Sequence, residues 1–211
     1  MGSICFLGKW DAATEEYQWT AGARVEIPPE VSARGLMEPE VAELNDGRLL
    51  VVWRGSTKGW DGTEARTPGR KFFSLSADGG RTLSPPAEWK YDDDSSFYSP
   101  SSFHRMIRHS TNGRLYWLGN ISATPPWGNS PRYPLVIAEV DEAKAAPKRG
   151  TVTAIDDRQV GQGDIQFSNF ALIEDRLTHE LILHLTTYGQ EPDPEDWATA
   201  ENFRYTLSIR E

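Results

Sequence analysis

Three stretches of the chain follow one pattern at a constant spacing. Residues 38–55 read EPEVAELNDGRLLVVWRG, residues 101–119 read SSFHRMIRHSTNGRLYWLG, and residues 167–189 read FSNFALIEDRLTHELILHLTTYG. Each is an apolar run, a polar turn, and a second apolar run that ends near a glycine. The turn positions Gly47, Gly113 and His179 fall 66 residues apart. The first two turns carry Asp-Gly and Asn-Gly, dipeptides that tolerate the positive φ of a tight hairpin. A period of this length means that one supersecondary unit is repeated and stacked on itself.

A third strand follows each pair, at residues 70–76 (RKFFSLS), 132–141 (RYPLVIAEVD) and 202–211 (NFRYTLSIRE). Fourth strands are expected near residues 87–91 and 150–155. Helical signals are weak. Residues 140–148 are the best short-helix candidate, and Pro147 limits it. Runs such as LLVVW and LYWL are apolar on both faces, which suits strands sandwiched between neighbouring sheets. Four antiparallel strands at a fixed spacing describe the blades of a β-propeller, and an all-β propeller is the expected fold; a β-sandwich or an open meander is the alternative. The expected division is one partial propeller domain. Residues 1–30 form outer strands of a preceding blade, including strands at 4–8 and 17–27. Residues 37–92 and 97–156 form two full blades, and 165–211 an incomplete last one. Propellers generally close with four to eight blades. The chain therefore reads as half of a larger propeller, and its partner is expected to be the missing N-terminal blades or a second copy on the open blade face.

Composition narrows the function. The net charge is -9, from 22 Lys+Arg against 31 Asp+Glu, which argues against nucleic acid and anionic membrane as partners. A small acidic ligand in a local basic pocket remains compatible. Cys5 is the single cysteine, so no disulfide framework or cysteine-clustered zinc site is expected. His104, His109, His179 and His184 lack metal-ligand spacing, and no metal or cofactor is expected. Asp92, Asp93 and Asp94 read as a solvated loop, with cation binding as the alternative. The first ten residues lack the basic-then-apolar layout of a secretory signal, and no apolar run is long enough for a membrane helix.

Residues 76–83, SADGGRTL, form a turn in which Ser, Asp and Thr side chains can bond the backbone and glycine supplies special dihedrals. The stretch resembles the Asp-box of sialidases, with Leu83 where that motif has Trp. Residues 38–54, EPEVAELNDGRLLVVWR, resemble a stretch of bacterial-type sialidases, a six-bladed family. The resemblance covers residues 30–210 and implies the C-terminal half of such a propeller. It implies an exported or periplasmic full-length protein.

By the same resemblance, Glu38 takes the place of the glutamate that assists the catalytic tyrosine. Arg54 takes that of one of three arginines gripping the substrate carboxylate. From the residues alone, Glu38 is equally a capping carboxylate and Arg54 a surface ion pair. Arg132 matches a third-arginine position, in a loop that leaves Asn120 and passes Trp127. A planar guanidinium suits bidentate contact with a carboxylate. Asn120 is placed with the substrate-binding group. Trp127 is either a sugar-stacking rim residue or a plug on the blade edge. The resemblance breaks at the nucleophile. Phe167-Ser168-Asn169-Phe170-Ala171 stands where the family carries a tyrosine motif, and phenylalanine has no hydroxyl to attack with. Phe167 and Asn169 are then expected to line the site, with Tyr98 or Tyr133 as stand-in for the nucleophile. Glycoside hydrolysis needs two suitably placed groups, and Glu38 is the one carboxylate the pattern offers. Two functions follow: a sialidase-like exo-glycosidase that hydrolyses or recognises a terminal acidic sugar, inactive as this chain alone, or a non-catalytic module for glycans or proteins.

Overall fold

The computed structural model describes residues 2–209. Among them are fourteen strands and two short 3-10 turns. A long hairpin comes first, from β1 (Gly2–Asp11) and β2 (Glu16–Glu26). A four-stranded antiparallel sheet follows in the order β3 (Met37–Glu43), β4 (Leu49–Arg54), β5 (Lys71–Ser76), β6 (Ala87–Glu88). The next sheet runs β7 (Arg105–Arg108), β8 (Leu115–Asn120), β9 (Leu135–Asp141). Its outer edge is shared by β10 (Ala146–Pro147) and β11 (Thr153–Asp156), on either side of a 3-10 turn at Arg149–Thr151. The last sheet is β12 (Ala171–Glu174), β13 (Leu181–Thr187), β14 (Glu201–Leu207). This is an all-β architecture of stacked propeller-type sheets. Among the described residues no strand pairing closes the row into a ring.

Alternation along the central strands explains the stacking. On β4, Leu50 and Val52 join Trp117, Trp89 and Val136 in the core between the first two full sheets. Their neighbours Val51 and Trp53 face the other way, toward Val25 and Leu36. On β8, Leu115 and Trp117 enter the first of these cores, while Tyr116 and Leu118 pack with Leu172, Leu181, Leu183 and Leu185 of the last sheet. Successive side chains of a strand point to opposite faces, so a continuous apolar run supplies two cores at once. Each fully buried large side chain contributes roughly 1.5–3 kcal/mol.

The three repeat turns share a conformation. Gly47, Gly113 and His179 have φ of 84°, 69° and 59°. The turn after β5 closes through Asp78, which accepts from the Thr82 backbone N–H at 2.9 Å and from Thr82 Oγ1 at 2.7 Å. Ser76 Oγ donates to Asp78 and accepts from Gly80 N–H, both at 2.8 Å. These bonds, from Thr82 first, hold the Asp78 carboxyl down at about 2. The β1–β2 hairpin docks here: Ala23 N–H donates to Arg81 O at 3.0 Å. Gly22 is required, because a Cβ would stand 2.5 Å from Gly80 O.

Several expectations need correction. The helix expected at residues 140–148 is a hairpin turn. Asp141 caps Lys144 N–H at 3.1 Å, and Ala145 takes φ 54°, which turns the chain into β10. The strand expected at 132–141 begins at Leu135, because Pro131 and Pro134 lack an N–H to pair. The inner strands expected from Ser101 and Phe167 begin four residues later, at Arg105 and Ala171. Of the strand expected at 202–211, Arg210 and Glu211 lie outside the described residues.

Candidate carboxylate-binding site

Arg54 ends β4, and the strand opposite carries a bulge. Met37 pairs with Arg54 and Glu40 with Val52, so Glu38 and Pro39 stand against Trp53 alone. Glu38 has φ 49°, an uncommon conformation for a non-glycine residue. Bulges re-aim side chains, and this one turns Glu38 onto Arg54, with Oε1 2.9 Å from Arg54 Nη2. Arg54 Nη1 donates to Ser101 O at 3.2 Å.

Arg132 arrives from the next sheet. Its Nη2 donates to the same Ser101 carbonyl at 2.8 Å, and its Nη1 to Gln166 Oε1 at 3.0 Å. Two guanidinium groups bonded to one oxygen lie within about 6 Å of each other. Each arginine is 8% exposed, and among the described residues neither Nε has a hydrogen-bond partner. Burial first, then the neighbouring Arg54, pulls Arg132 down to about 10, so it keeps its charge at neutral pH. Burial also lowers Arg54, and Glu38 opposes that shift. The result is a pair of desolvated cations set side by side. Such a pair can hold a carboxylate by charge-assisted bonds.

A third basic side chain lies beneath. Lys71 pairs with Arg54 across β4 and β5, is fully buried, and donates from Nζ to Ser102 O at 2.5 Å. Burial, then Arg54, pushes Lys71 well below an ordinary lysine. His104 is also buried, with Nε2 3.2 Å from Val52 O. Burial, then Lys71, holds it well below the usual histidine value, so it is neutral.

The other expected site residues divide. Asn120 is fully buried, and its Nδ2 donates to Arg132 O, Pro134 O and Phe167 O at 2.9–3.2 Å. It therefore clamps the Arg132 loop from behind, where no ligand reaches. Phe167 is a core residue packed with Ile165, Phe170 and Leu185. Both are corrections to a substrate-contacting placement, and the reason is burial. Asn169 is exposed, with φ 58°. Trp127 projects into solvent, so it is not a plug. Tyr98 lies against Arg70, whose guanidinium stands 4.4 Å from its ring centroid. Among the described residues no hydrogen bond joins Tyr98 to Glu38, Arg54 or Arg132. Tyr133 accepts at its hydroxyl from Arg158 at 3.3 Å. Two clefts, of about 490 and 450 Å³, lie elsewhere: between β9, β11 and β14, and between β1 and β4.

Sequence reasoning missed Gln166, Lys71 and Arg34, whose charge, after burial, also lowers Arg54 and Arg132. Lys71 did carry a signal, since it sits in phase with Phe73 and Leu75, which face the neighbouring sheet. Gln166 and Arg34 carry none; each lies in an irregular stretch.

No family model matches the chain, and no curated protein sequence matches it. Solved structures do. The K499G mutant of NanB sialidase from Streptococcus pneumoniae superposes with a TM-score of 0.52 at 16% identity, over 83% of this chain and 23% of that one. The GH93 α-L-arabinofuranosidase of Fusarium graminearum with arabinobiose gives 0.49 at 16%, over 87% and 49%. The likeness to NanB is one of fold, a propeller glycosidase. The chain spans under a quarter of NanB and about half of the arabinofuranosidase.

Proposed function

We propose that this chain forms part of a carbohydrate-active propeller that recognises a terminal acidic sugar, such as sialic acid, through Arg54 and Arg132. The observation that carries this is the shared Ser101 carbonyl, which brings guanidinium groups from two adjacent sheets together, with Glu38 at one side. Recognition is favoured over hydrolysis by Phe167, which is buried and has no hydroxyl, and by Tyr98, which lies on Arg70. Further blades, or a second copy, would supply the remaining walls of the site.

Calorimetry with N-acetylneuraminic acid and its methyl ester tests the reading. The two sugars differ by one negative charge. Charge-assisted bonds contribute roughly 1.5–3 kcal/mol each, so the acid should bind at least about tenfold more tightly. A fluorogenic sialoside should show no turnover by this chain. Equal affinity for acid and ester would remove the carboxylate role, and steady turnover would restore the glycosidase reading.

A further inference from the structure

Two exposed tryptophans stand on loops that touch each other, one of them bonded to Ser101, the residue that both arginines share. Trp60 is 67% exposed and Trp127 is 52% exposed. Neither belongs to a strand. The Trp60 loop joins β4 to β5 as a small braced hairpin. Gly59 N–H donates to Thr63 O at 2.7 Å, and Ala65 N–H to Thr57 O at 2.8 Å. Arg34 covers one face of the indole, with its guanidinium 4.6 Å from the ring centroid and its Nε donating to Lys58 O at 2.8 Å. Most of the residue is left to solvent.

The Trp127 loop is tied to this arm and to the site floor. Gly128 N–H donates to Thr57 Oγ1 at 2.6 Å. Gly128 O accepts from Ser101 N–H at 2.9 Å, and Ser101 O is the acceptor that both arginines share. Direct contacts thus run from the Trp60 loop through Gly128 to the cation pair. The charge of Arg34 reaches the pair as well, lowering both Arg54 and Arg132.

An indole held in water on a braced support offers a flat apolar face to a ligand. A single sugar on the arginines would leave Trp60 uncovered. The apolar C–H face of a second sugar ring matches an indole face, and a braced loop loses little freedom on binding. We propose that the arm carrying Arg34 and Trp60 is a second sugar subsite, an inference that rests on the acidic-sugar pocket proposed above. The ligand is then an oligosaccharide: its terminal acidic residue lies on Arg54 and Arg132, and a following ring stacks on Trp60.

The test compares N-acetylneuraminic acid with the trisaccharide 3′-sialyllactose by calorimetry, on the wild-type chain and on Trp60→Ala, Trp60→Phe and Arg54→Ala. Wild type should bind the trisaccharide at least tenfold more tightly than the monosaccharide. Trp60→Ala should erase that advantage and leave monosaccharide affinity unchanged, with an unaltered melting temperature. Trp60→Phe should keep most of the advantage, and Arg54→Ala should weaken both ligands. A trisaccharide advantage that survives Trp60→Ala, or is absent from wild type, overturns the second subsite while the acidic pocket stands. Failure of wild type to bind either sugar overturns both.

Discussion

Asp78 shows how a single exposed carboxylate sets a turn. Its oxygens accept from Thr82 and Ser76, and these bonds depress it from 3.8 to about 2. A depressed carboxylate stabilises the fold above its unfolded value, and that contribution is lost as pH falls through the folded value. Asp78→Asn should therefore lower the melting temperature at pH 7, and the gap to wild type should close toward pH 2; a gap independent of pH would show that the charge is not what matters. Asp93, held near 2 by Ser95 and Arg149, gives the same sign in the same window. At the site, Glu38 and Arg54 were singled out by the resemblance of residues 38–54 to a sialidase stretch, but their contact was not legible. It depends on a bulge and a positive φ at Glu38 that no residue type at that position announces. Asn120 and Phe167 read as ligand-facing because they sit in the right motifs. The register of the loops turned them inward, and only packing could reveal that.

The β1–β2 hairpin is the element with most left exposed. Its alternation puts Ile4, Phe6, Trp10, Tyr17 and Trp19 on one face in solvent, while Cys5 and Leu7 line the cleft against β4. Among the described residues no further strand pairs with either edge of this two-stranded ribbon, and one backbone bond, Ala23 N–H to Arg81 O, ties it down; such edges and patches promote association. Sedimentation of the chain at tens of micromolar should show species larger than a monomer, and Phe6→Ser with Trp19→Ser should shift it toward monomer. A wild-type monomer over that range would mean the face is tolerated in water. The strands themselves were legible, because period-two alternation and Gly-containing turns are local signals. The hairpin at 140–148 was not. Its residues DEAKAA favour a helix by propensity, and the pairing of β10 with β9 overrode that preference.

Across the molecule, the sheets stack so that loops from neighbouring sheets meet at one place. Arg54 ends a strand of one sheet, Arg132 precedes a strand of the next, and the loop before β7 gives both of them Ser101 O. The constant spacing made the repeated architecture legible, since each copy places its strand ends at equivalent positions. The lateral stacking that converts those equivalent positions into a common site is a long-range property, carried by cores such as Trp89 with Trp117. Two arginines that grip one carboxylate must be energetically coupled, whereas two independent surface charges must not. The deciding measurement is a double-mutant cycle of Arg54→Ala and Arg132→Ala, read as affinity for N-acetylneuraminic acid and its methyl ester. The structure predicts a coupling of about 1 kcal/mol or more for the acid and close to none for the ester. Additive losses of equal size for both ligands would contradict a shared carboxylate site.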